Sequence, residues 1–263
     1  MRGALTIPDS ETRSAPVARK SPVRFAAGLV FTAVYWPSAV LCLIVLSLVS
    51  GLFMKGASRR RLGQDSLAFS LGSFITGLER LGVLRVDDAE LAKHAATPGP
   101  MIIACNHPAL WDAPLVLRRI GRVSCIMKAD VEANPFLRSG ARFAGFVPNS
   151  PRLTMIREAV SRLQEGGRLL LFPEGTRTRR ERGVINRFRP GLALLAKQSG
   201  APVLPVFLIT DSPYLGKGWP IWKITELPVS VSFRVGETMT ILPDERVRDF
   251  SERLEERFRH GLG

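Results

Sequence analysis

The chain of 263 residues holds three histidines, and one of them, His107, stands where an imidazole can work. The apolar run 101–105 ends at Asn106-His107-Pro108, and Asp112 follows five residues after the histidine. A strand ending there delivers the imidazole to a cleft, and a turn beginning at Pro108 can bring the carboxylate back onto one ring nitrogen. A carboxylate so placed fixes the tautomer and supports the imidazolium, leaving the other nitrogen as general base. Neither a G-x-S-x-G elbow nor a reactive-cysteine signature accompanies the pair, so the base would activate a hydroxyl carried by the substrate. His94 and His260 lack comparable settings and read as surface residues.

A second group lies further along. The apolar run 168–172 leads into Pro173-Glu174-Gly175-Thr176-Arg177, and six arginines with a single acid, Glu181, occupy 177–189. Gly175 permits a tight turn, Thr176 offers a hydroxyl, and Arg177 offers a fork matched to phosphate oxygens. The position after a strand favours anion binding over a merely solvated charged loop.

Both groups need a sheet to hold them on one edge. Apolar runs predict strands over 101–105, 123–127, 168–172, 203–209 and 229–235, and amphipathic stretches predict helices over 113–120, 133–143, 152–165, 191–198 and 245–258. This alternation predicts an α/β fold with a largely parallel central sheet flanked by helices, in which ligands sit at the carboxyl ends of the strands. No internal repeat of 20 to 50 residues is visible.

Ahead of this domain, expected over 63–263, lie two further regions. Residues 1–24 are rich in Ser, Pro, Ala and Arg and read as a mobile basic tail. Residues 25–54 carry no charge, with Arg24 before them and Lys55, Arg59, Arg60 and Arg61 after, so 25–62 reads as a membrane-anchoring segment rather than a cleaved signal peptide. Thirty residues at ~1.5 Å each exceed a ~30 Å hydrocarbon core, and Pro37 near the middle predicts a break into two short helices. A re-entrant or monotopic hairpin is therefore expected, with a single tilted span as the alternative. With 37 Lys+Arg against 23 Asp+Glu the net charge is +14, which calls for an anionic partner. Three cysteines without a CxxC pair argue against a disulfide framework or a cysteine-based metal site.

Asn106-His107-x4-Asp112 together with Phe172-Pro173-Glu174-Gly175-Thr176-Arg177 resembles the glycerolipid acyltransferase family (PlsC-type), over about 99–209 of this chain. Gly145-Phe146-Val147-Pro148, Phe188-x-Pro190-Gly191 and Val203-Leu204-Pro205-Val206 extend the likeness. The resemblance implies His107 as general base and Asp112 as its orienting partner. It further implies Glu174, Gly175, Thr176, Arg177, Asn106 and Lys128 as acceptor- and phosphate-binding residues. The family's second motif usually ends in an arginine directly after the apolar-proline stretch, whereas here Asn149-Ser150-Pro151-Arg152 follows Pro148. Arg152 would then serve from a shifted position, or the acceptor is a different lyso-lipid, such as a lyso-aminolipid.

The implied reaction moves a fatty acyl group from acyl-CoA or acyl carrier protein to the hydroxyl of a lysophospholipid, foremost 1-acyl-sn-glycerol-3-phosphate. It uses no metal and no resident cofactor. Membrane lipids are the implied partners, with the catalytic domain at the cytoplasmic face of the inner membrane. Two rivals stand beside it. A non-catalytic basic module would bind nucleic acid or anionic membrane through the arginine loop, but aromatics other than Phe188 and nucleic-acid motifs are missing there, so no nucleic acid is expected. A thioesterase would use the same His and Asp to activate water.

Overall fold

The structure is a computed structural model that describes residues 18–95, 97–127, 132–148 and 152–263, with Phe136, Arg152 and Arg182 described by their backbone alone. Six strands form the central sheet: β2 (Leu84–Asp87), β3 (Met101–Cys105), β4 (Val123–Cys125), β5 (Arg168–Leu171), β6 (Val203–Ile209) and β8 (Val229–Val235). Their spatial order is β2-β8-β6-β3-β5-β4. All neighbours run parallel except β6 and β8. The largely parallel sheet expected from sequence is therefore present, with β2 and β8 reversed together at one side. In register, Ile103 lies between Leu170 and Leu204.

All five side chains of β3 are buried, as a strand covered on both faces requires. Successive residues serve opposite layers. Ile103 joins Phe74, Ile75, Leu115 and Val116 on one face, while Ile102 and Ala104 join Leu163, Leu195, Phe250 and Phe258 on the other. The first layer is built by α2 (Gly56–Arg80) and α4 (Asp112–Ile120), the second by α6 (Arg152–Gln164), α7 (Gly191–Ser199) and α8 (Val247–Leu262). Each fully buried side chain of this kind contributes about 1.5–3 kcal/mol. Two smaller helices, α3 (Ala89–Lys93) and α5 (Pro135–Phe143), complete the domain.

The N-terminal region departs from expectation in three ways. Helix α1 (Pro22–Phe53) is one helix of 32 residues with Pro37 inside it, about 48 Å long, so the predicted break is absent. The reason is packing on both sides of the proline. Phe31 stacks on Phe74 at 5.8 Å, Trp36 meets Phe74 at 5.1 Å, and Tyr35 Oη donates to the Ser70 carbonyl at 2.7 Å. Past the proline, Arg59 donates to Ser47 O at 2.8 Å and closes the α1–α2 turn. Second, α2 runs unbroken across Gly63, where the domain was expected to begin. Gly63 permits close contact there, since a Cβ would lie 2.2 Å from the Phe143 carbonyl oxygen at the end of α5. Third, the tail expected over 1–24 is ordered at its end: β1 (Arg19–Lys20) pairs antiparallel with β7 (Glu226–Leu227), and Pro22 opens α1 at its first turn. Residues 1–17 lie outside the described residues.

Candidate active site

β3 and β5 are parallel neighbours, so the segments that leave them emerge on the same sheet edge. His107 follows β3 by two residues and Asp112 opens α4. The turn between them closes on the carboxylate: Asp112 Oδ2 lies 2.7 Å from His107 Nδ1 and accepts the Ala109 N–H at 2.8 Å. Asp112 is fully buried and His107 is 7% exposed. Burial pushes the Asp112 carboxyl above the ordinary carboxylate value, and the hydrogen bond and charge of His107 offset only part of that. The imidazole stacks on Phe172 at 4.1 Å, so its plane is fixed from the β5 side. With Nδ1 committed to Asp112, Nε2 is the nitrogen left to exchange a proton with a ligand.

The second loop holds the first in place. Glu174 Oε1 accepts the His107 backbone N–H at 2.9 Å and the Thr178 hydroxyl at 2.7 Å, and Oε2 accepts the Asn186 N–H at 2.8 Å. The His107 carbonyl in turn accepts the Thr178 N–H at 2.7 Å. Gly175, at φ +66, makes the reversal that turns Glu174 inward, and an added Cβ would meet Arg189 Nε at 2.7 Å. Asn106 has a similar internal task. Its amide donates to Leu208 O at 2.8 Å and accepts the Leu208 N–H at 2.7 Å, which fastens the end of β3 to β6.

A model of the Acyltransferase family matches residues 84–209, from the start of β2 to the end of β6, and takes in both loops. Residues 84–209 form an acyltransferase-family domain. A curated relative, the 1-acyl-sn-glycerol-3-phosphate acyltransferase of Pseudomonas aeruginosa, is 26% identical over 148 residues, 53% of this chain and 54% of that protein. The chain thus spans about half the length of the curated relative it matches. The crystal structure of the 1-acyl-sn-glycerophosphate (LPA) acyltransferase PlsC from Thermotoga maritima shares the fold, with a TM-score of 0.68 over 91% of this chain and 97% of that one at 21% identity.

Within the acyltransferase domain the structure brings His107, Asp112, Asn106, Glu174, Gly175, Thr176 and Arg177 to one edge, but not all in the expected manner. The resemblance implied that Asn106 and Glu174 contact substrate. Both are buried, and their polar atoms are turned to the protein's own backbone and to Thr178. Arg177 donates to the carbonyls of Leu215 and Gly216 at 2.8 and 3.0 Å, and Arg180 binds the carbonyls of Thr210, Asp211 and Ser212. Part of the arginine run therefore clamps the segment that leaves β6. Lys128 lies outside the described residues, as do Asn149, Ser150, Pro151 and the side chain of Arg152, whose backbone begins α6.

Sequence reasoning passed over four residues that build this site. Thr178 and Asn186 are Glu174's partners, and Asn186 also donates to Arg177 O at 3.2 Å and accepts the Arg179 N–H at 3.1 Å. They are the uncharged polar residues within the arginine run, the one signal that marked them. Trp111 and Tyr214, in edge contact at 5.4 Å, bound an apolar cavity of about 290 Å³ that Phe25, Trp36, Phe74 and Ile221 also line. This cavity joins the His107–Asp112 turn to α1.

Proposed function

We propose that the protein is a membrane-docked acyltransferase that moves a fatty acyl group from an acyl thioester, on CoA or acyl carrier protein, to the free hydroxyl of a lysophospholipid. The preferred acceptor is 1-acyl-sn-glycerol-3-phosphate, giving phosphatidic acid. The observation that carries this reading is the 2.7 Å contact between His107 Nδ1 and Asp112, beside an apolar cavity that reaches α1. In this reading Nε2 takes the acceptor's hydroxyl proton as its oxygen attacks the thioester carbonyl. Asp112 supports the imidazolium, and the proton then passes to the departing thiolate, so no acyl-enzyme forms. General-base help of this sort supplies about 10²–10⁴ in rate. The exposed Arg187 and Arg189, with Thr176, are the groups assigned to phosphate on acceptor or donor.

Docking is assigned to α1. Its buried residues, from Phe25 through Ala39 and Leu43 to Ser50, hold it to the domain along nearly its whole length, while Val30, Val34, Leu41, Val45, Leu48 and Leu52 form an exposed apolar stripe on the other side. A helix held in this way favours lying in one leaflet, at the cytoplasmic face of the inner membrane, over crossing it. A second acceptor class, a lyso-aminolipid, is favoured by the replacement of the expected arginine after Pro148 by Asn149-Ser150-Pro151.

The experiment is thiol release from acyl-CoA and acyl carrier protein thioesters with a panel of lyso-lipids, wild type beside His107→Ala. Release that depends on lysophosphatidic acid and falls at least ~100-fold in the variant is expected. Near-normal release by His107→Ala overturns the mechanism, and release that is equal with and without acceptor makes the protein a thioesterase.

A further inference from the structure

A cavity of about 780 Å³ lies on the sheet edge opposite the dyad, beside the amino ends of β3, β4 and β5. One length of β3, about 16 Å at ~3.3 Å per residue, separates it from the catalytic turn. Arg60, Arg61, Arg122, Arg162 and Arg168 line it, against the acids Asp65 and Glu165. Three of these arginines have acidic partners: Arg60 with Glu165, Arg122 with Asp65, and Arg162 with Glu158. Arg61 and Arg168 have none among the described residues. Arg168 is half-buried, yet among the described residues its guanidinium is held only by the backbone carbonyls of Ala95 and Thr97. Arg162 adds a buried Nε donor that lacks a partner. Uncompensated guanidinium groups walling a cavity are the chemistry that recognises a phosphate.

A second cavity adjoins it. Between α1 and α2 runs an apolar groove of about 530 Å³, lined by Tyr35, Ala39, Cys42, Leu46 and Phe69, and Asp65 borders both spaces. The Asp65 carboxylate there is neutralised by paired contacts of 3.0 and 3.1 Å from Arg122. A basic cleft that shares Asp65 with an apolar groove, along a helix free of charge over 25–54, matches an amphipathic anion.

We propose that these two cavities form one binding site for an anionic phospholipid, separate from the catalytic centre. Its phosphate lies against Arg61 and Arg168, and one acyl chain lies in the α1–α2 groove. The site ties seating of the α1–α2 helix pair to the presence of anionic lipid, independently of substrate.

Cys42 supplies the test, because it lines the groove and is exposed while Cys105 and Cys125 are buried. The full chain in neutral detergent micelles receives dioleoyl phosphatidylglycerol or dioleoyl phosphatidylcholine at equal mole fraction, and the rate of maleimide labelling at Cys42 is measured. Phosphatidylglycerol is expected to slow labelling relative to phosphatidylcholine, and Arg61→Gln to weaken its half-effective concentration about fivefold, the step for removing one basic residue from an anionic headgroup. Arg61 is exposed and unpaired among the described residues, so this variant keeps the fold; Arg168→Gln serves as the second variant. Thiol release by Arg61→Gln in phosphatidylcholine micelles is expected to stay at the wild-type rate. Equal protection by both lipids, or protection that survives both substitutions, overturns the proposal. Displacement of the effect by millimolar inorganic phosphate, with no preference between the lipids, would assign the cleft to a free phosphate and overturn the lipid assignment.

Discussion

Glu174→Gln separates two roles for the loop that follows β5. The carboxylate accepts three hydrogen bonds: two on Oε1, from His107 N–H and Thr178 Oγ1, and one on Oε2, from Asn186 N–H. Glutamine has one oxygen. Placed at the Oε1 position it keeps two bonds and sets its NH₂ against the Asn186 N–H, donor facing donor. Placed the other way it loses two. The gentler arrangement removes one charge-assisted bond, which costs about 1.5–3 kcal/mol. At about 2–4 °C per kcal/mol, the unfolding midpoint is expected to fall by roughly 3–12 °C.

The kinetic consequence follows from the donor that is loosened. His107's ring is carried by the backbone whose N–H Glu174 receives, and displacement of a catalytic group by about 1 Å costs up to ~100-fold in turnover. Glu174 is 2% exposed, so the substitution changes little that substrate can touch. kcat is therefore expected to drop by about 10–100-fold, with KM for the acceptor held within about threefold, the pattern of a lost transition-state geometry. Steady-state thiol release against acceptor concentration, beside thermal unfolding of the same sample, measures both. A raised acceptor KM with unchanged kcat and unchanged midpoint would refute the positioning role and return Glu174 to the substrate.

Asp112→Asn tests the partner of the base. The Ala109 N–H and His107 Nδ1 converge on the same oxygen, so the amide oxygen takes that place, the tautomer survives, and turnover falls by about 100-fold rather than the ~10⁴ of a tautomer-inverting exchange; a 10⁴-fold loss counts against this geometry. Because burial holds the Asp112 carboxyl above its ordinary value, the native state retains that proton more tightly than the unfolded chain. Ionised Asp112 thus costs stability above its raised native value, and the cost vanishes as pH falls below the unfolded value of about 4. The variant should unfold at a higher temperature than wild type near neutrality and lose that advantage toward pH 4, and an advantage that grows on acidification has the wrong sign. In Gly63→Ala, the new Cβ 2.2 Å from Phe143 O costs up to about 3 kcal/mol, more than the ~1 kcal/mol that alanine contributes inside a helix, so the unfolding midpoint should fall. Ser21→Cys and Ser58→Cys, each in a Cys42→Ser background, should be labelled from the same side of sealed vesicles, and opposite-side labelling would make α1 a single span.

What was legible in the sequence was local. β3, β6 and β8 begin and end where the apolar runs 101–105, 203–209 and 229–235 do, because each run sets its own burial. The His107–Asp112 contact also closes within one turn, so spacing alone could anticipate it. Features set by distant partners were not legible. Glu174 meets His107 across 67 residues, and Asn106 meets Leu208 across 102, so motif position gave no hint that these polar side chains face inward. The arginine run looked like an anion site by composition, yet Arg177 and Arg180 spend their donors on carbonyls of a loop some thirty to forty residues away. β2 escaped notice because Leu84–Asp87 carries two charges in four residues, and Pro37 misled because Phe74 and Ser70 of α2 hold the helix just before it and Arg59 holds it beyond, at Ser47.

Contacts of α1 with the segment that leaves β6 make the helix part of the wall beside the His107–Asp112 turn. Phe25 at the start of α1 lies 5.9 Å from Tyr214, and Tyr214 lies 5.4 Å from Trp111, the residue directly before Asp112. The loop that carries Tyr214 is fixed from the catalytic side as well, since Leu215 O accepts both the Leu110 N–H at 3.1 Å and the Arg177 guanidinium at 2.8 Å. A shift of α1 against the domain therefore reaches the turn holding His107 through two ring contacts and one shared carbonyl. α1 also lines the cavity between α2 and that turn, so removing the helix would open one wall of the space beside the turn. In the proposed reading, docking falls to the exposed stripe of α1 and shaping of the His107–Asp112 turn to its buried face, so one helix carries both. A fragment beginning after α1 would lack both, and its inactivity would say nothing about His107.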